Sequence, residues 1–190
     1  APATALIPPN NLYNVANINV PCDDTNTAFY FIAWGDPAAT PETETWRKFL
    51  GQRVGVDLDD HYRPLRNMEN RFWQDREAMK AGNFTGITGF PNQDIAMWLT
   101  MGPIANRSDE RLGASDVAVV EFRRVMLDAV KAFQAGDTAI GTGDKTIPHD
   151  VCSFQSIVPK ETDWRQFAAQ PVRAVREQQP ELESNYQVKA

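Results

Sequence analysis

Carboxylate and imidazole side chains are the groups of this chain that could hold a metal ion or transfer a proton. Asp94 stands between an irregular glycine-rich stretch and the apolar run 95–99. An aspartate in that position is most often a helix cap or first-turn residue, because free backbone amides there donate hydrogen bonds to it. A metal site needs further donors. The two histidines, His61 and His149, are far apart, and neither has a second histidine one helical turn away. Residue type and spacing alone therefore favour a structural role for Asp94.

Two other stretches resemble ligand loops only in outline. Residues 57–61, Asp-Leu-Asp-Asp-His, lack the glycine turn and the twelfth-position glutamate of a calcium loop, so we expect a solvated acidic turn with a helix cap. Residues 141–146, Gly-Thr-Gly-Asp-Lys-Thr, carry Asp144 where a phosphate loop needs glycine. That carboxylate would also repel phosphate. Neither stretch predicts a cofactor site.

A nucleophilic site or an anion site finds equally little support. His149 and Asp150 could pair, but Cys152 and Ser153 lack the flanking glycines of a nucleophile elbow, which argues against a hydrolase. Arginine can bind a substrate carboxylate through two parallel hydrogen bonds. Salt bridges to nearby acids are the more ordinary explanation for the candidate arginines, which are Arg107, Arg123 and Arg124.

A β-hairpin is predicted over residues 11–35. In its first arm Asn17 and Asn19 alternate with apolar residues, as in a strand whose apolar face is buried and whose polar face is solvated. The second arm, residues 28–34, is apolar on both faces, so we expect both faces to be covered. Its aromatic and β-branched content favours a strand over a helix.

Apolar and capping patterns predict three helices. The first opens with Thr40 as its cap, and the second covers about residues 93–101 and ends at Gly102. The clearest covers about residues 115–135 and is stopped by Gly136. Its apolar residues recur at spacings of three and four, which predicts a core helix packed along the sheet. They are Ala118, Phe122, Val125, Ala129 and Phe133.

Bulk composition bounds the class of protein. The chain has 190 residues, 42% of them hydrophobic and 23% charged, which is ordinary for one globular domain. Its net charge of −6 argues against a general affinity for nucleic acid or anionic membrane, and no apolar run is long enough to span a bilayer. Cys22 and Cys152 are expected as reduced thiols. The chain starts at Ala1 without an initiator methionine, so we expect a piece of a longer protein.

The segment from Phe90 to Arg124 resembles the C-terminal part of the oxygenase subunit of Rieske non-haem iron oxygenases. The resemblance is to the branch of phthalate 4,5-dioxygenase and the aromatic O-demethylases. In that family the aspartate of a Gln-Asp pair is the carboxylate ligand of a mononuclear Fe(II), and the pair here is Gln93-Asp94. The likeness continues through Gly102-Pro103-Ile104, Arg107, Glu110, Leu112-Gly113 and Ser115-Asp116.

Other motifs of the family do not occur in this sequence. The two histidine ligands of the Fe(II), and the Cys-x-His and Cys-x-x-His ligands of the [2Fe–2S] Rieske cluster, lie upstream of this region in the family. The resemblance therefore implies that residues 1–176 are the C-terminal part of the catalytic domain, followed by a polar tail over residues 177–190. It implies an α+β fold, in which an antiparallel twisted sheet is gripped by a long C-terminal helix and is incomplete at its N-terminal side.

The resemblance also implies an activity for the complete subunit. Electrons from a reductase would reach the Rieske cluster and then the Fe(II), where dioxygen is activated to hydroxylate or O-demethylate an aromatic acid. It further implies a cytoplasmic homotrimer without nucleic acid or membrane partners. The fragment alone is expected to be inactive and to hold iron weakly, and its unpaired apolar strand edges predict poor solubility.

Two other classes of function fit the same residues. One is a helix-grip binding module that holds an apolar ligand between sheet and helix without redox chemistry. The other is an assembly subunit without a site of its own, in which Asp94 has no role in metal binding.

Overall fold

Three antiparallel strands form a sheet in the order β1 (Ala3–Ile7), β2 (Tyr13–Pro21) and β3 (Thr27–Gly35). This computed structural model describes residues 3–8, 10–140, 152–168 and 172–178. The predicted hairpin is confirmed as β2 and β3. Strand β1 was missed because five residues flanked by prolines give too short a pattern to separate from a loop.

The stretch 141–146, the pair His149–Asp150 and the tail beyond Gln178 lie outside the described residues. Their sequence-based interpretations stay predictions. Cys22 and Cys152 are both free thiols, as expected. Among the described helices, none is long and apolar enough to cross a membrane.

The cross-strand register decides which residues share a face of the sheet. Asn17 pairs with Phe31, and Asn19 pairs with Phe29, so these four side chains point to the same side. We call this side the inner face, because the helices described below contact it. The prediction that the two asparagines lie on the solvated face is wrong. Alternation gives the period of a strand but not the side on which neighbouring elements pack.

Helix α1 (Thr43–Leu50) covers part of the inner face through Trp46. The indole stacks on Phe31 with ring centroids 5.8 Å apart and meets Tyr13 edge-on at 6.4 Å. Its Nε1 donates a hydrogen bond to the carbonyl oxygen of Phe31 at 3.2 Å. The predicted cap is wrong: Glu42 precedes the helix, and the Thr40 hydroxyl instead donates to the Asp36 carbonyl oxygen at 2.9 Å.

Residues 52–75 form an irregular segment organised by the buried carboxylate of Asp57. Only 3% of Asp57 is exposed, and its oxygens accept from the backbone N–H of Arg53 at 3.0 Å and from Arg66 Nη1 at 2.9 Å. The guanidinium of Arg66 lies 4.7 Å above the ring of Trp73. The expectation of a solvated turn in residues 57–61 is wrong for Asp57. It holds for Asp59, which accepts the N–H groups of a turn containing His61.

A short 3-10 helix, η1 (Arg71–Trp73), has backbone angles of unusual sign. Arg71, Phe72 and Trp73 have φ values of 53°, 56° and 53°, in the left-handed region that L-residues avoid. This turn places the buried ring of Phe72 against Ile87 and Ala96. After it come helix α2 (Arg76–Lys80) and helix α3 (Phe90–Thr100), so η1 packs behind the helix that carries the Gln-Asp pair.

Helix α4 (Val117–Gln134) follows the 3-10 helix η2 (Ala114–Asp116) and confirms the long helix predicted from the sequence. Its predicted packing along the sheet is wrong for the described chain. The helix has no buried residue, its chief contact is with η2, and Phe122 and Phe133 are 52% and 62% exposed. An apolar stripe shows that a helix is amphipathic, but it does not identify the surface that covers the stripe.

The C-terminal segment covers one end of the other face of the sheet, which we call the outer face. Residues 152–159 form no helix or strand, and they are followed by helices α5 (Trp164–Ala168) and α6 (Val172–Gln178). The backbone N–H of Ser153 donates to Asn14 Oδ1 at 3.2 Å, and Arg176 Nε donates to the Ser153 carbonyl oxygen at 2.9 Å. Val175, which precedes Arg176 in the sequence, is 1% exposed. The α+β class, an antiparallel sheet with a long helix, is confirmed.

Candidate metal centre

The start of helix α3 is fixed to the end of helix α1 by one buried amide. Asn92 Nδ2 donates to the carbonyl oxygens of Gly51 at 3.0 Å and Thr88 at 2.8 Å, and its Oδ1 accepts from Gln52. Gly89 has a φ of 80°, and a side chain there would collide with the Leu50 carbonyl group. The orientation of α3 is therefore fixed by the hydrogen bonds of the Asn92 side chain and by the close approach of Gly89 to Leu50.

One side of α3 faces the aromatic residues of β3. The ring of Phe90 meets Phe31 at a centroid distance of 5.2 Å, and the ring of Trp98 meets Phe29 at 5.3 Å. Asp94 is one turn after Phe90 and one turn before Trp98, so it lies between them on the same side of the helix. The carboxylate thus belongs to the side of α3 that faces the inner face of the sheet.

The surroundings of Asp94 do not fit a helix cap. Gly89 is the N-terminal cap of α3, and Asp94 comes after the first turn, where the backbone N–H groups are already bonded within the helix. Within the part of the chain that the structure describes, the Asp94 carboxylate makes no hydrogen bond and no ion pair. Residue 94 as a whole is exposed, yet partial burial among its neighbours raises the pKa of its carboxyl group.

An unpaired carboxylate that has lost part of its water shell is suited to binding a cation. Hard anionic oxygen is a suitable donor to Fe(II), and the absence of a competing arginine or lysine leaves both oxygens available. Across residues 3–8, 10–140, 152–168 and 172–178, no three histidine, cysteine, aspartate or glutamate side chains cluster as a complete metal site. His61 lies in the turn of Asp59, away from α3 in sequence. The residues present fit the carboxylate part of a ligand set, not the whole of it.

Asn17 is a further polar residue of this region, and the sequence interpretation assigned it to the wrong side. Its Oδ1 is fully buried and has no hydrogen-bond partner in the described chain. An unpaired buried oxygen of this kind costs about 1–3 kcal/mol. The signal available in the sequence was the presence of Asn17 and Asn19 two residues apart in β2, which is unusual for a face that helices cover.

The candidate arginines are engaged with acids, which confirms the salt-bridge interpretation. Glu110 accepts from Arg107 Nη1 at 3.0 Å and from Arg123 Nη2 at 2.9 Å. The hydrogen bonds from Arg123, followed by the charges of both arginines, lower the pKa of Glu110 to about 2. Arg124 bonds Glu121 and Asp128 on the same helix. Of these pairs, the one between Arg123 and Glu110 connects the loop after α3 to α4.

Comparison with known proteins shows the family to which the chain belongs. A family model described as "LigXa C-terminal domain like" matches residues 1–189. The phthalate 4,5-dioxygenase oxygenase subunit of Pseudomonas putida is 75% identical over 188 residues, which are 99% of this chain and 43% of that protein. The 3-chlorobenzoate-3,4-dioxygenase oxygenase subunit of Comamonas testosteroni is 31% identical over 179 residues, 86% of this chain and 41% of that protein.

These matches extend over nearly the whole chain but not over the whole of the relatives. The chain spans about two fifths of the length of both oxygenase subunits. The resemblance stated from the residues around Gln93-Asp94 is confirmed, and it extends well beyond that motif. The chain belongs to the LigXa C-terminal domain-like family and is similar to the C-terminal part of aromatic dioxygenase oxygenase subunits.

Proposed function

We propose that this chain is the C-terminal part of the oxygenase component of an aromatic Rieske oxygenase. Residues 1–176 would complete the catalytic domain, and the remaining residues would form a tail. The substrate would be an aromatic acid, because the names of the two relatives refer to phthalate and to 3-chlorobenzoate. The complete subunit would also need dioxygen and a reductase, and it would assemble as a cytoplasmic homotrimer.

The observation that carries this proposal is the state of Asp94. Its carboxylate lies on the side of α3 that faces the aromatic residues of β3, without any counter-charge in the described chain. The carboxylate of Asp57, which is buried and has a structural role, is paired with Arg66. Residue 94 is exposed and its carboxylate has no partner in the described chain, which leaves it available as a ligand.

Asp94 would serve as the anionic ligand of a mononuclear Fe(II), with two histidines supplied from upstream of this chain. When bound, that iron would supply the centre at which dioxygen is activated. The contribution of this chain is then positional. The Asn92 contacts fix α3, and Phe29, Phe31 and Trp98 supply an apolar wall beside the carboxylate, which suits an aromatic ring.

The test compares the complete subunit, wild type and Asp94→Ala, with Asp137→Ala as a matched control on an exposed carboxylate. We expect Asp94→Ala to lose mononuclear iron and oxygen uptake with phthalate or 3-chlorobenzoate, because removing one of three ligands weakens the site. The visible absorbance of the Rieske cluster should be unchanged. Asp137→Ala should match the wild type in all three measurements.

Two outcomes would contradict the proposal. Unchanged iron content and turnover in Asp94→Ala would assign the residue a structural role. A wild-type subunit that binds aromatic acids but neither holds iron nor consumes oxygen would identify a binding module without redox chemistry.

A further inference from the structure

Helix α3 is anchored on the side opposite Asp94. Asn92 and Ala96 are both buried, and they lie one turn apart on the same side of the helix. Asp94 is two residues from each of them, about half a turn away, so its carboxylate leaves the helix in the other direction. The hydrogen bonds of Asn92 hold the first turn, and the packing contact of Ala96 holds the next. The direction of the Asp94 side chain therefore depends on both anchors.

The second anchor is the ring of Phe72. This ring is buried in a small cluster with Ala96 of α3 and with Ile87, which precedes the helix. Phe72 is the middle residue of the left-handed turn η1, and an L-residue adopts that conformation only at a cost in free energy. The ring thus reaches the back of α3 from a backbone conformation that is itself unfavourable.

Contacts on both sides of η1 hold this unfavourable backbone in place. Before the turn, the side-chain oxygens of Asn67 and Asn70 each accept from the backbone N–H of the other, at 3.1 and 3.0 Å. After the turn, Gln74 Nε2 donates to the Thr85 carbonyl oxygen at 2.8 Å, in the loop that leads into α3. Strain of this kind persists where the surrounding structure over-determines it, and it is concentrated at functional sites. The turn is therefore a fixed support behind α3.

We propose that Phe72 is a positioning residue for the iron site, because its ring fixes the rotation of α3 and thereby the direction in which Asp94 presents its carboxylate. This inference rests on the proposed function, since it takes the role of Asp94 as an iron ligand from there. A metal ligand must be held within about 0.5 Å, and residues that do not touch the metal determine its orientation. Ala96 is the matching partner, because a larger side chain there would push α3 away from the ring.

An ordinary core role for Phe72 would have a different consequence. A core residue stabilises the whole fold, so its truncation lowers the free energy of unfolding without changing the iron affinity of the molecules that stay folded. A positioning residue changes the iron site within folded molecules. Measurements on folded protein therefore separate the two roles.

The experiment compares four variants of the complete subunit with the wild type. Phe72→Leu reduces the ring, Ala96→Val enlarges the helix side of the same contact, and the double variant restores part of the lost volume. Ala96→Val tests the contact from α3 if Phe72→Leu does not yield folded protein. Phe154→Leu is the matched control, because it makes the same change to a ring that contacts Phe167 in the C-terminal segment.

Three quantities are measured on the folded protein. The apparent dissociation constant for Fe(II) is obtained by competition with a chelator. The electron paramagnetic resonance spectrum of the mononuclear iron with nitric oxide as a probe reports the geometry of its ligands. The visible absorbance of the Rieske cluster reports whether the rest of the subunit is intact.

We expect Phe72→Leu and Ala96→Val each to raise the apparent dissociation constant for Fe(II) about tenfold and to change the resonance spectrum, as happens when a residue that orients a metal ligand is lost. The double variant should bind Fe(II) more tightly than either single variant, because the two changes of volume compensate. The absorbance of the Rieske cluster should be unchanged throughout. Phe154→Leu should match the wild type in Fe(II) affinity and in spectrum.

Three results would overturn the inference. One is a folded Phe72→Leu variant with the Fe(II) affinity and spectrum of the wild type. Another is an equal loss of Fe(II) in Phe72→Leu and Phe154→Leu, which would indicate a general loss of stability. The third is additive effects of Phe72→Leu and Ala96→Val, which would show that the two residues do not act through their contact. Failure of the proposed function is distinguishable, because the wild type would then lack mononuclear iron or Asp94→Ala would retain it.

Discussion

Asp57 is buried and Asp94 is partly shielded from water, and their surroundings differ. Those of Asp57 indicate a structural role, and those of Asp94 favour a functional one. Burial alone would raise the pKa of Asp57, yet the backbone N–H of Arg53 and the side chains of Arg66 and Arg53 outweigh it and lower that pKa. Burial raises the pKa of Asp94, and no donor opposes it. The carboxylate of Asp57 is engaged in hydrogen bonds that stabilise the fold, whereas the carboxylate of Asp94 remains available to a ligand.

Asp57→Ala should destabilise the chain strongly. The change leaves the guanidinium of Arg66, whose side chain is 10% exposed, without its partner, and breaking a buried pair of this kind costs about 3–5 kcal/mol. Glu77→Ala is the control, since it removes an exposed pair with Lys80, and its effect should stay within about 1 kcal/mol. Urea unfolding followed by tryptophan fluorescence measures both. Equal effects of the two variants would contradict the structural role of Asp57.

Glu110 gives a pH-dependent prediction. Its pKa is lowered from 4.5 to about 2 in the folded chain, so the folded state binds this proton more weakly than the unfolded state does. The stabilisation by Glu110 is therefore complete above pH 4.5 and is lost as the pH falls toward 2. The difference in melting temperature between wild type and Glu110→Gln should be constant at neutral pH and should decrease as the pH falls from 4.5 toward 2.

Recognition of the two residues at the candidate site depended on different signals. Asp94 could be named from the sequence because the Gln-Asp pair and the residues after it form a recognisable motif. Its spacing alone favoured a cap, which the position of Gly89 rules out. Asn17 was missed because the interpretation took polar residues of an alternating strand to be solvated. Which face is covered depends on α1 and α3, and the local pattern holds no information about them.

At the level of elements, local sequence patterns predicted which helices and strands form better than they predicted how these elements pack together. The hairpin and the helices near residues 43–50, 90–100 and 117–134 were all expected, because turn residues and apolar spacing act within one element. Helix α2 and strand β1, with five residues each, were too short to be recognised. Contacts between distant elements, such as the amide of Asn92 with the end of α1, depend on the whole fold.

Helix α4 gives a prediction about association of the chain. Its exposed apolar side should cause residues 1–190 to self-associate, since large exposed apolar patches are interaction surfaces. The double change Phe122→Glu and Phe133→Glu should shift sedimentation toward the monomer. Lys131→Glu on the polar side is the control and should leave association unchanged. Equal association of the wild type and the double variant would place the contact elsewhere, for example on an unpaired strand edge.

At the level of the whole molecule, the chain is a sheet with different cover on each side. Helices α1 and α3 lie against the inner face, and the segment after Cys152 and helix α6 hold one end of the outer face. The candidate metal ligand is on the inner side. Within the described ranges, it does not belong to any group of three or more histidine, cysteine, aspartate or glutamate side chains that could hold a metal ion. The described chain thus supplies one candidate ligand and the elements that position it.

The isolated chain should therefore hold iron only weakly. One carboxylate supplies too few donors for a stable Fe(II) site, which in this class takes two histidines in addition. Anaerobic titration of residues 1–190 with Fe(II), followed by desalting and iron determination, should leave substoichiometric metal. Asp94→Ala should give the same low value. One tightly held Fe(II) per chain, lost in Asp94→Ala, would show that this chain alone completes a site.

The left-handed turn at Arg71–Trp73, behind α3, should tolerate substitutions that an ordinary helix does not tolerate. Valine or isoleucine at residues 71 and 73 would be disfavoured, because a β-branched residue fits a positive φ poorly. Glycine and asparagine, which disrupt ordinary helices, would relieve strain there. Phe72 is the exception, since its ring fills the space against Ile87 and Ala96. Directed evolution of this protein should therefore find stabilising substitutions at residues 71 and 73, where non-glycine side chains occupy a positive φ.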